Sequence, residues 1–340
     1  MQVKQREHLR ENIRNVTPRT FGEAALDVFR YQAIHNVIYA QFLDLLRVDP
    51  ATVSFPTDIP HMPIGLFKKY RLKSGEWEPV RTFTSSGTTG IATSHHLLSN
   101  EEWYRENARC AFELQYGTLQ DRPVLALLPA YLERTGSSLV FMAEDFIQRS
   151  GHPESGFFLE DLPTLSQKLA ALKSGPVPPL LIGVSFALLD LAEQHAQPLG
   201  NTVIMETGGM KGRRREMTRP ELHGVLSEAF EVDHIHSEYG MTELLSQAYA
   251  PKNGRFLPAP TLCARVRDIT DPLSAVATGK TGALNLSDLA NLDTISFIAT
   301  DDLWLVYPDG FFEVLGRLDA SDVRVCNLLV LYPGRSFLLS

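Results

Sequence analysis

Three short stretches of the chain combine hydroxyl, glycine and carboxylate residues in a way that suits an anionic ligand. They read TFTSSGTTG (82–90), HSEYGMTE (236–243) and TDDLW (300–304). In the first stretch, the glycines permit turns that direct successive backbone N–H groups into one concavity, and the serine and threonine hydroxyls add uncharged donors. Considered alone, this composition fits a flexible linker, a structural hairpin or a loop that holds phosphate.

The loop at 82–90 differs from a Walker A loop, which requires a glycine, four residues and then Gly-Lys-Ser or Gly-Lys-Thr. The Gly-Lys-Thr of this chain begins at Gly279, and Ser274 stands where the first glycine of that motif is required. The sequence therefore excludes the usual P-loop ATPase.

The second and third stretches supply groups that a nucleotide requires. Tyr239 offers a ring face for a base, the Thr242 hydroxyl suits a phosphate oxygen, and Glu243 offers a carboxylate for Mg²⁺. Asp302 suits the vicinal hydroxyls of a ribose, as acidic residues do in other nucleotide sites, and Arg317 follows it. These companions favour the phosphate-holding role for the loop at 82–90.

Strand-like and helix-like runs alternate through the middle of the chain. Strands are predicted at VLALLP (124–129), LLIGV (180–184), TVIMETGG (202–209) and HIHSEYG (234–240), and helices at SSLVFMAEDFIQ (137–148), LPTLSQKLAALK (162–173) and FALLDLAEQHA (186–196). This alternation indicates an α/β fold with helices flanking a mostly parallel sheet, and the pattern after Pro251 indicates a smaller β-rich portion. Ligands of such sheets bind beyond the carboxyl ends of strands, where TFTSSGTTG, METGGMKG and HSEYGMTE lie.

Local signals also predict two helix starts and one core residue. Ser99 and Glu102 have capping-box spacing, which predicts a helix running to about Tyr116. Thr218 is the predicted N-cap of a later helix. Cys110 lies inside the first of these helices and is expected in the core.

Composition limits the class of protein. A chain of 340 residues with a net charge of −8 is typical of a globular protein whose main ligand is not nucleic acid. The N-terminal MQVKQREHLRENIRNV has no apolar signal-peptide core, and no apolar run is long enough to span a bilayer. Three scattered cysteines are too few for a disulfide framework or a zinc cluster. We therefore expect a cytoplasmic protein.

The order and content of the chemical stretches resemble a known family. TSSGTTG, YGMTE, TDDL and GRLD resemble the successive motifs of the adenylate-forming superfamily, which includes acyl-CoA synthetases and phenylacetate-CoA ligase-like enzymes. Within it, ETGGMKGRRREMTRPELH (206–223), IHSEYGMTELLSQAY (235–249) and GRLDASDVRVCNLL (316–329) resemble the LuxE-type acyl-protein synthetases. The resemblance runs from about Phe21 to the C-terminus.

The resemblance implies an adenylate-forming large domain over residues 1–319 and a short C-terminal segment, 320–340, where the lid domain is absent or vestigial. It implies ATP- and Mg²⁺-dependent activation of a carboxylic acid, a fatty acid in the LuxE-type branch. The acyl group then passes to a protein thiol, with an acyl-acceptor protein or acyl reductase as partner. The residues that it assigns to the nucleotide are Ser85, Ser86, Gly87, Thr88, Thr89 and Gly90 at the β- and γ-phosphates, Gly208, Gly209 and Tyr239 at the adenine, Thr242 at the α-phosphate, Glu243 at Mg²⁺, and Asp302 and Arg317 at the ribose; Gly240 is a further nucleotide-binding residue.

Cys326 matches the acyl-carrying cysteine of the LuxE-type branch. A thiolate is a sound nucleophile toward an acyl-adenylate when its pKa is lowered or a base is near. A lone cysteine in an apolar strand is also commonly a core residue, so both roles stay open.

Two features separate this chain from many members of the superfamily. No lysine follows the phosphate loop, so His95 and His96 are the candidates to meet phosphate there. Only a short segment follows Asp319 in this sequence, so we expect no lid domain and no lid lysine. An acyl- or aryl-CoA ligase and a partner-dependent or non-catalytic nucleotide-binding subunit therefore remain as alternatives.

Overall fold

The computed structural model describes residues 2–85, 93–128, 136–208, 210, 214–271 and 273–317. The helices of this part of the chain are α1 (Gln2–Arg14), α2 (Phe21–His35), α3 (Val37–Leu45), α4 (Glu101–Tyr116), α5 (Ser138–Ser150), α6 (Leu162–Leu172), α7 (Ser185–Gln194) and α8 (Arg219–Phe230). The strands are β1 (Met62–Pro63), β2 (Arg81–Thr84), β3 (His95–Leu98), β4 (Val124–Leu127), β5 (Gly156–Phe157), β6 (Leu180–Val184), β7 (Val203–Thr207), β8 (His236–Tyr239), β9 (Ala248–Ala250), β10 (Leu257–Pro258), β11 (Leu262–Arg267), β12 (Thr281–Asp288), β13 (Phe297–Val306) and β14 (Phe312–Arg317). None of the helices described here is long and apolar enough to cross a membrane.

The larger sheet follows the order β10-β9-β8-β7-β6-β4-β5. Strands β5, β4, β6, β7 and β8 run parallel to one another, and β9 and β10 join with antiparallel pairing. Every residue of β4 and β6 is buried, as expected for central parallel strands that helices cover. The predicted α/β class with a mostly parallel sheet is confirmed.

A second sheet forms the β-rich portion predicted after Pro251. Its central strand, β13, pairs antiparallel with β12 on one edge. On the other edge β1 lies parallel to the first half of β13, and β14 lies antiparallel to the second half. Strand β11 extends the sheet beyond β12. The backbones of Phe256 and Phe312 exchange hydrogen bonds of 2.8 and 3.0 Å, which connects the two sheets.

A two-stranded hairpin carries the loop that we predict to hold phosphate. Strands β2 and β3 pair antiparallel, with Thr84 opposite His95. The Thr84 N–H donates to the Gly136 carbonyl at 2.8 Å, so the hairpin is held by the segment that leads into α5. Gly136 has a φ of +105°, and a Cβ there would lie 2.8 Å from Thr84 Oγ1. A side chain at this glycine would therefore displace the hairpin.

The two predicted helix starts have different outcomes. Thr218 begins α8 as predicted, with a complete capping box that includes Glu221. The predicted N-cap of α4 is wrong by one residue, because Asn100 accepts the backbone N–H three residues later at 3.1 Å. The Ser99 hydroxyl instead bonds to the carboxylate of Asp293 and is not free to cap the helix.

Cys110 lies on the exposed side of α4, so its predicted core position is wrong. The buried residues of α4 fall at 103–104, 107–108 and 111–112, which defines one face of the helix. Position 110, seven residues after the buried Trp103, falls at the edge of this face, where its side chain is exposed.

Candidate active site

The carboxyl ends of β7 and β8 lie side by side. Thr207 pairs with Glu238 in the register, so Gly208 and Gly240 begin adjacent loops. Gly208 has a φ of +70°, and a Cβ at Gly240 would lie 2.5 Å from Glu238 Oε1, so both positions favour glycine. The structure thus brings two predicted glycines together at the edge where parallel sheets bind ligands. Gly209 lies outside the described residues.

Aromatic side chains hold the ring of Tyr239. The ring meets Trp304 edge to face, with a centroid distance of 4.7 Å and an interplanar angle of 85°. It lies 6.0 Å from the ring of Phe256 and 5.9 Å from that of Phe312. Its hydroxyl donates to Met241 Sδ at 2.8 Å. These contacts set the plane of the ring before any ligand binds, and its stacking on adenine stays a prediction.

Buried polar side chains hold the backbone of the loop that carries Thr242 and Glu243. His96 Nδ1 lies 2.8 Å from the Thr242 carbonyl oxygen. Asn291 Nδ2 donates to the Glu243 carbonyl oxygen at 2.8 Å. The backbone is therefore fixed at the two positions predicted to contact the α-phosphate and Mg²⁺.

Asp288, at the end of β12, holds the next two residues of the same loop. Its carboxylate accepts the N–H groups of Leu245 and Ser246 at 2.8 and 3.0 Å, and the Ser246 hydroxyl at 2.6 Å. Burial raises the pKa of Asp288 to about 6, and these donors act in the opposite direction. Asp288 was not predicted from the sequence, where the available signal was an aspartate at the end of a strand-like run, ALNLSD (283–288).

Ser85 closes the base of the hairpin formed by β2 and β3, which we call the phosphate-loop hairpin. The Ser94 N–H donates to Ser85 Oγ at 2.9 Å, and the Ser85 N–H donates to the Ser94 carbonyl at 3.2 Å. The other residues predicted to contact phosphate lie outside the described residues, and their contacts stay predictions; they are Ser86, Gly87, Thr88, Thr89 and Gly90.

His96 is a buried linking residue and does not serve as a phosphate ligand. Its Nδ1 meets the Thr242 carbonyl, and its Nε2 lies 3.1 Å from Thr294 Oγ1. Burial lowers the pKa of His96 to about 4, so the ring is neutral at pH 7. The expectation that His96 meets phosphate is wrong, because both ring nitrogens are engaged inside the protein. The exposed His95 stays a candidate.

A bulge in β13 places Asp302. Strands β12 and β13 pair Ala283 with Leu303 and Asn285 with Ala299. Between these two pairs, β13 has three residues where β12 has one. Asp302 lies in this bulge, and its backbone is directly opposite Arg317 on β14. The register therefore juxtaposes the two residues predicted at the ribose.

A buried guanidinium fills the bulge. Arg267 Nη1 donates to the Leu284 carbonyl at 2.5 Å and to Asn285 Oδ1 at 3.0 Å. Its Nη2 donates to the Thr300 carbonyl at 2.7 Å. The Thr300 hydroxyl in turn accepts the Asp302 N–H at 3.3 Å. Arg267 thus holds the backbone that leads to Asp302, a role that was not predicted from the sequence.

Two buried glutamates on neighbouring strands have pKa values that are shifted in opposite directions. On β7, burial acts to raise the pKa of Glu206, but hydrogen bonding from His223 and the nearby Arg219 charge lower it overall. Arg219 Nε lies 2.9 Å from Glu206 Oε1. On β8, Glu238 accepts the Thr207 hydroxyl at 2.5 Å, and burial raises its pKa to about 7. The face of the sheet that carries Glu238 therefore holds a carboxyl group close to half-ionised at neutral pH.

Glu243 is the candidate magnesium ligand, and its side chain is buried. Across the described ranges, no group of three or more His, Cys, Asp or Glu side chains is arranged to hold a metal ion. Mg²⁺ at nucleotide sites takes one or two protein carboxylates and completes its shell with phosphates and water. A single carboxylate from Glu243 therefore fits a Mg²⁺ that arrives with the nucleotide.

The C-terminal predictions fall beyond the last described residue, Arg317. Cys326 lies outside the described residues, and so does the predicted boundary between 1–319 and 320–340. These assignments stay predictions.

The fold is that of the large domain of adenylate-forming enzymes, as predicted. A solved structure of 2-hydroxyisobutyryl-CoA ligase, in complex with 2-HIB-AMP and CoA in the thioesterification state, matches with a TM-score of 0.66 and 16% sequence identity. The match covers 90% of this chain and 70% of that one. An open conformation of the same ligase matches with a TM-score of 0.64 and 15% identity, over 88% of this chain and 75% of that one.

ATP-bound MatB from Rhodopseudomonas palustris is a further structural neighbour, with a TM-score of 0.54 and 17% identity. The match covers 73% of this chain and 49% of MatB, so it spans about half the length of that protein. Comparison with protein-family models and with curated proteins gave no match. At these identities, the likeness to the solved structures shows the shared fold.

Proposed function

We propose that the chain is an ATP-dependent ligase that activates a carboxylic acid as an acyl-adenylate and passes the acyl group to a thiol. The observation that carries the proposal is the position of the loop 240–246. It follows the carboxyl end of β8 beside the end of β7, and His96 joins it to the phosphate-loop hairpin. Two structural neighbours support it, since one is a CoA ligase in complex with an acyl-AMP and CoA and the other is bound to ATP.

The first step is a displacement at the α-phosphorus of ATP. A carboxylate oxygen of the acid forms a bond to this phosphorus, while the bond from the phosphorus to the α,β-bridging oxygen breaks. Pyrophosphate leaves with that electron pair. Such a transfer depends on positioning and charge neutralisation more than on covalent participation by the protein.

The proposed residues divide these tasks. Thr242 contacts the α-phosphate, and Glu243 holds Mg²⁺, which supplies charge neutralisation at the phosphates when bound. Asp302 binds the ribose hydroxyls, with Arg317 assisting. The remaining contacts are Ser85, Ser86, Gly87, Thr88, Thr89 and Gly90 at the outer phosphates and Gly208, Gly209 and Tyr239 at the adenine, with Gly240 as a further nucleotide-binding residue.

The second step transfers the acyl group. A thiolate attacks the acyl carbonyl carbon, the bond from this carbon to the AMP oxygen breaks, and AMP leaves with the electron pair as a thioester forms. The resemblance to LuxE-type proteins supports Cys326 as the thiol and a fatty acid as the substrate. It also supports onward transfer to an acyl-acceptor protein or an acyl reductase, in the cytoplasm.

CoA is the second candidate acceptor. It is favoured by the structural neighbour that contains CoA together with an acyl-AMP. The substitution Cys326→Ser separates the two acceptors, because it abolishes covalent acylation of the protein but leaves acyl-CoA formation unchanged.

Carboxylate-dependent exchange of labelled pyrophosphate into ATP tests the first step. The acids range from acetate to long-chain fatty acids and simple aryl acids. We expect exchange to peak with one class of acid and to fall by about 100-fold or more in Glu243→Ala. Glu228→Ala, which removes an exposed carboxylate on α8, is the matched control and keeps full exchange. Folded wild-type protein without exchange for any acid would instead favour the partner-dependent nucleotide-binding subunit.

A further inference from the structure

The buried imidazole of His96 lies between two segments that the proposed function places on the same nucleotide. His96 is on β3, the strand that leaves the phosphate-loop hairpin. Its Nδ1 lies 2.8 Å from the carbonyl oxygen of Thr242, a residue 146 positions further along the chain. The ring therefore connects the hairpin that is proposed to hold the outer phosphates directly to Thr242, the proposed contact of the α-phosphate.

The partners of the ring determine its tautomer. A carbonyl oxygen only accepts hydrogen bonds, so Nδ1 carries the proton and donates it to Thr242. Nε2 then accepts from the Thr294 hydroxyl, 3.1 Å away. Burial lowers the pKa of His96 to about 4, with the Thr242 backbone bond acting in the opposite direction, and this agrees with a neutral ring.

The surroundings restrict movement of both the ring and the loop. The ring of Phe67 packs edge to face against His96 at a centroid distance of 5.5 Å. Asn291 holds the Glu243 carbonyl at 2.8 Å, so the carbonyl groups of 242 and 243 are both fixed by buried side chains. The hydrogen bond from His96 therefore joins Thr242 to β3 through a ring that is itself fixed.

We propose that His96 is a positioning residue whose Nδ1–H bond to Thr242 sets the distance between the phosphate-loop hairpin and the α-phosphate contact. This inference rests on the proposed adenylation. Without this bond, the hairpin and Thr242 can each still contact the nucleotide. Their relative position no longer aligns the triphosphate for attack. The adenylation rate therefore falls more than the affinity for ATP.

Two amide variants, each of which retains one of the two nitrogen positions of the ring, separate this role from a purely structural one. In His96→Asn the side-chain amide nitrogen takes the place of Nδ1 and keeps a donor for Thr242. In His96→Gln the amide nitrogen takes the place of Nε2, so the donor to Thr242 is lost. In pyrophosphate exchange, we expect His96→Asn to keep kcat within about threefold of wild type. His96→Gln loses about tenfold or more, with the KM for ATP within about threefold.

His61 provides a matched control because it has the same kind of partners. Its Nδ1 lies 2.9 Å from the Ile59 carbonyl oxygen, and its Nε2 lies 3.0 Å from Ser287 Oγ. Neither His61→Asn nor His61→Gln changes kcat at a temperature where the protein is folded, although both lower the melting temperature.

The outcomes of this experiment are distinct. An active wild type with equal kcat in the two His96 variants, or with losses that simply follow melting temperature, overturns the positioning role alone. A folded wild type without exchange overturns the adenylation proposal and the role of His96 with it. Loss of kcat in His96→Gln with retention in His96→Asn supports both.

Discussion

The loop after β8 and the bulge of β13 both carry proposed site residues, but they are held in different ways. The loop is held by three side chains, those of His96, Asn291 and Asp288. Together they bond to the backbone at four of the five positions from 242 to 246. The bulge is held by one buried cation, Arg267, which spans the carbonyl groups on both sides of the gap.

This difference shows that the two sheets contribute differently to the candidate site. The parallel sheet supplies the strand ends from which the loops start. Two of the four side chains that fix the final positions come from the β-rich sheet, since Asp288 ends β12 and Arg267 ends β11. We therefore expect substitutions in the β-rich sheet to damage the site more than their distance along the chain suggests.

Asp288→Ala tests how the loop after β8 is held, and we expect it to have the largest effect. It leaves the buried N–H groups of Leu245 and Ser246 without an acceptor, and each such loss costs about 1–3 kcal/mol. We expect the free energy of unfolding to fall by about 3–5 kcal/mol in urea titrations, with loss of pyrophosphate exchange. Asp268→Ala is a control in an exposed turn. A loss below about 1 kcal/mol for Asp288→Ala would show that Asp288 does not hold this loop.

Arg267→Met tests the bulge. It removes the donors to the Leu284 and Thr300 carbonyls, and we expect a smaller loss of about 2–3 kcal/mol in the free energy of unfolding. Because the bulge leads to Asp302, the KM for ATP rises by about tenfold while kcat changes less. Arg265→Met, a partly exposed residue on the same strand, is the control. An unchanged KM in Arg267→Met would restrict Arg267 to a role in folding.

Glu238→Gln tests the pH dependence at the edge of the site. The pKa of Glu238 in the folded protein is about 7, above its ordinary value of 4.5, because burial disfavours the ionised form. Stability is therefore lost as pH rises from about 4.5 to about 7, where the folded protein still binds the proton that the unfolded chain has released, and a neutral amide avoids that loss. We expect Glu238→Gln to be more stabilising at pH 8 than at pH 5 by about 1–3 kcal/mol in urea unfolding. The same effect at both pH values would show that ionisation of Glu238 is not the cause.

Local patterns predicted the architecture and the position of the central loops. The apolar runs at 180–184 and 202–209 became β6 and β7, and Thr218 caps α8, because these signals involve residues close together in the chain. Gly208 and Gly240 were predicted at strand ends, and the pairing of Thr207 with Glu238 brings them together.

The supporting residues could not be predicted in the same way. The partners of His96, Asp288 and Arg267 lie 146, 42 and 33 positions away, and no local periodicity signals such contacts. The error at Ser99 has the same cause, since its hydroxyl is taken by Asp293, 194 positions away. Neighbouring Asn100 then becomes the cap.

Transfer of oxygen-18 from the acid to AMP tests the central claim most directly. The acid that gives the highest exchange is labelled in both carboxylate oxygens and turned over with ATP in the presence of the thiol acceptor, and the released AMP is analysed by mass spectrometry. Adenylation predicts one oxygen-18 atom in the phosphate of each AMP, because the oxygen bonded to the α-phosphorus stays with AMP when the thiol attacks the acyl carbon. Unlabelled AMP, or label in inorganic phosphate with ADP as the other product, would contradict it.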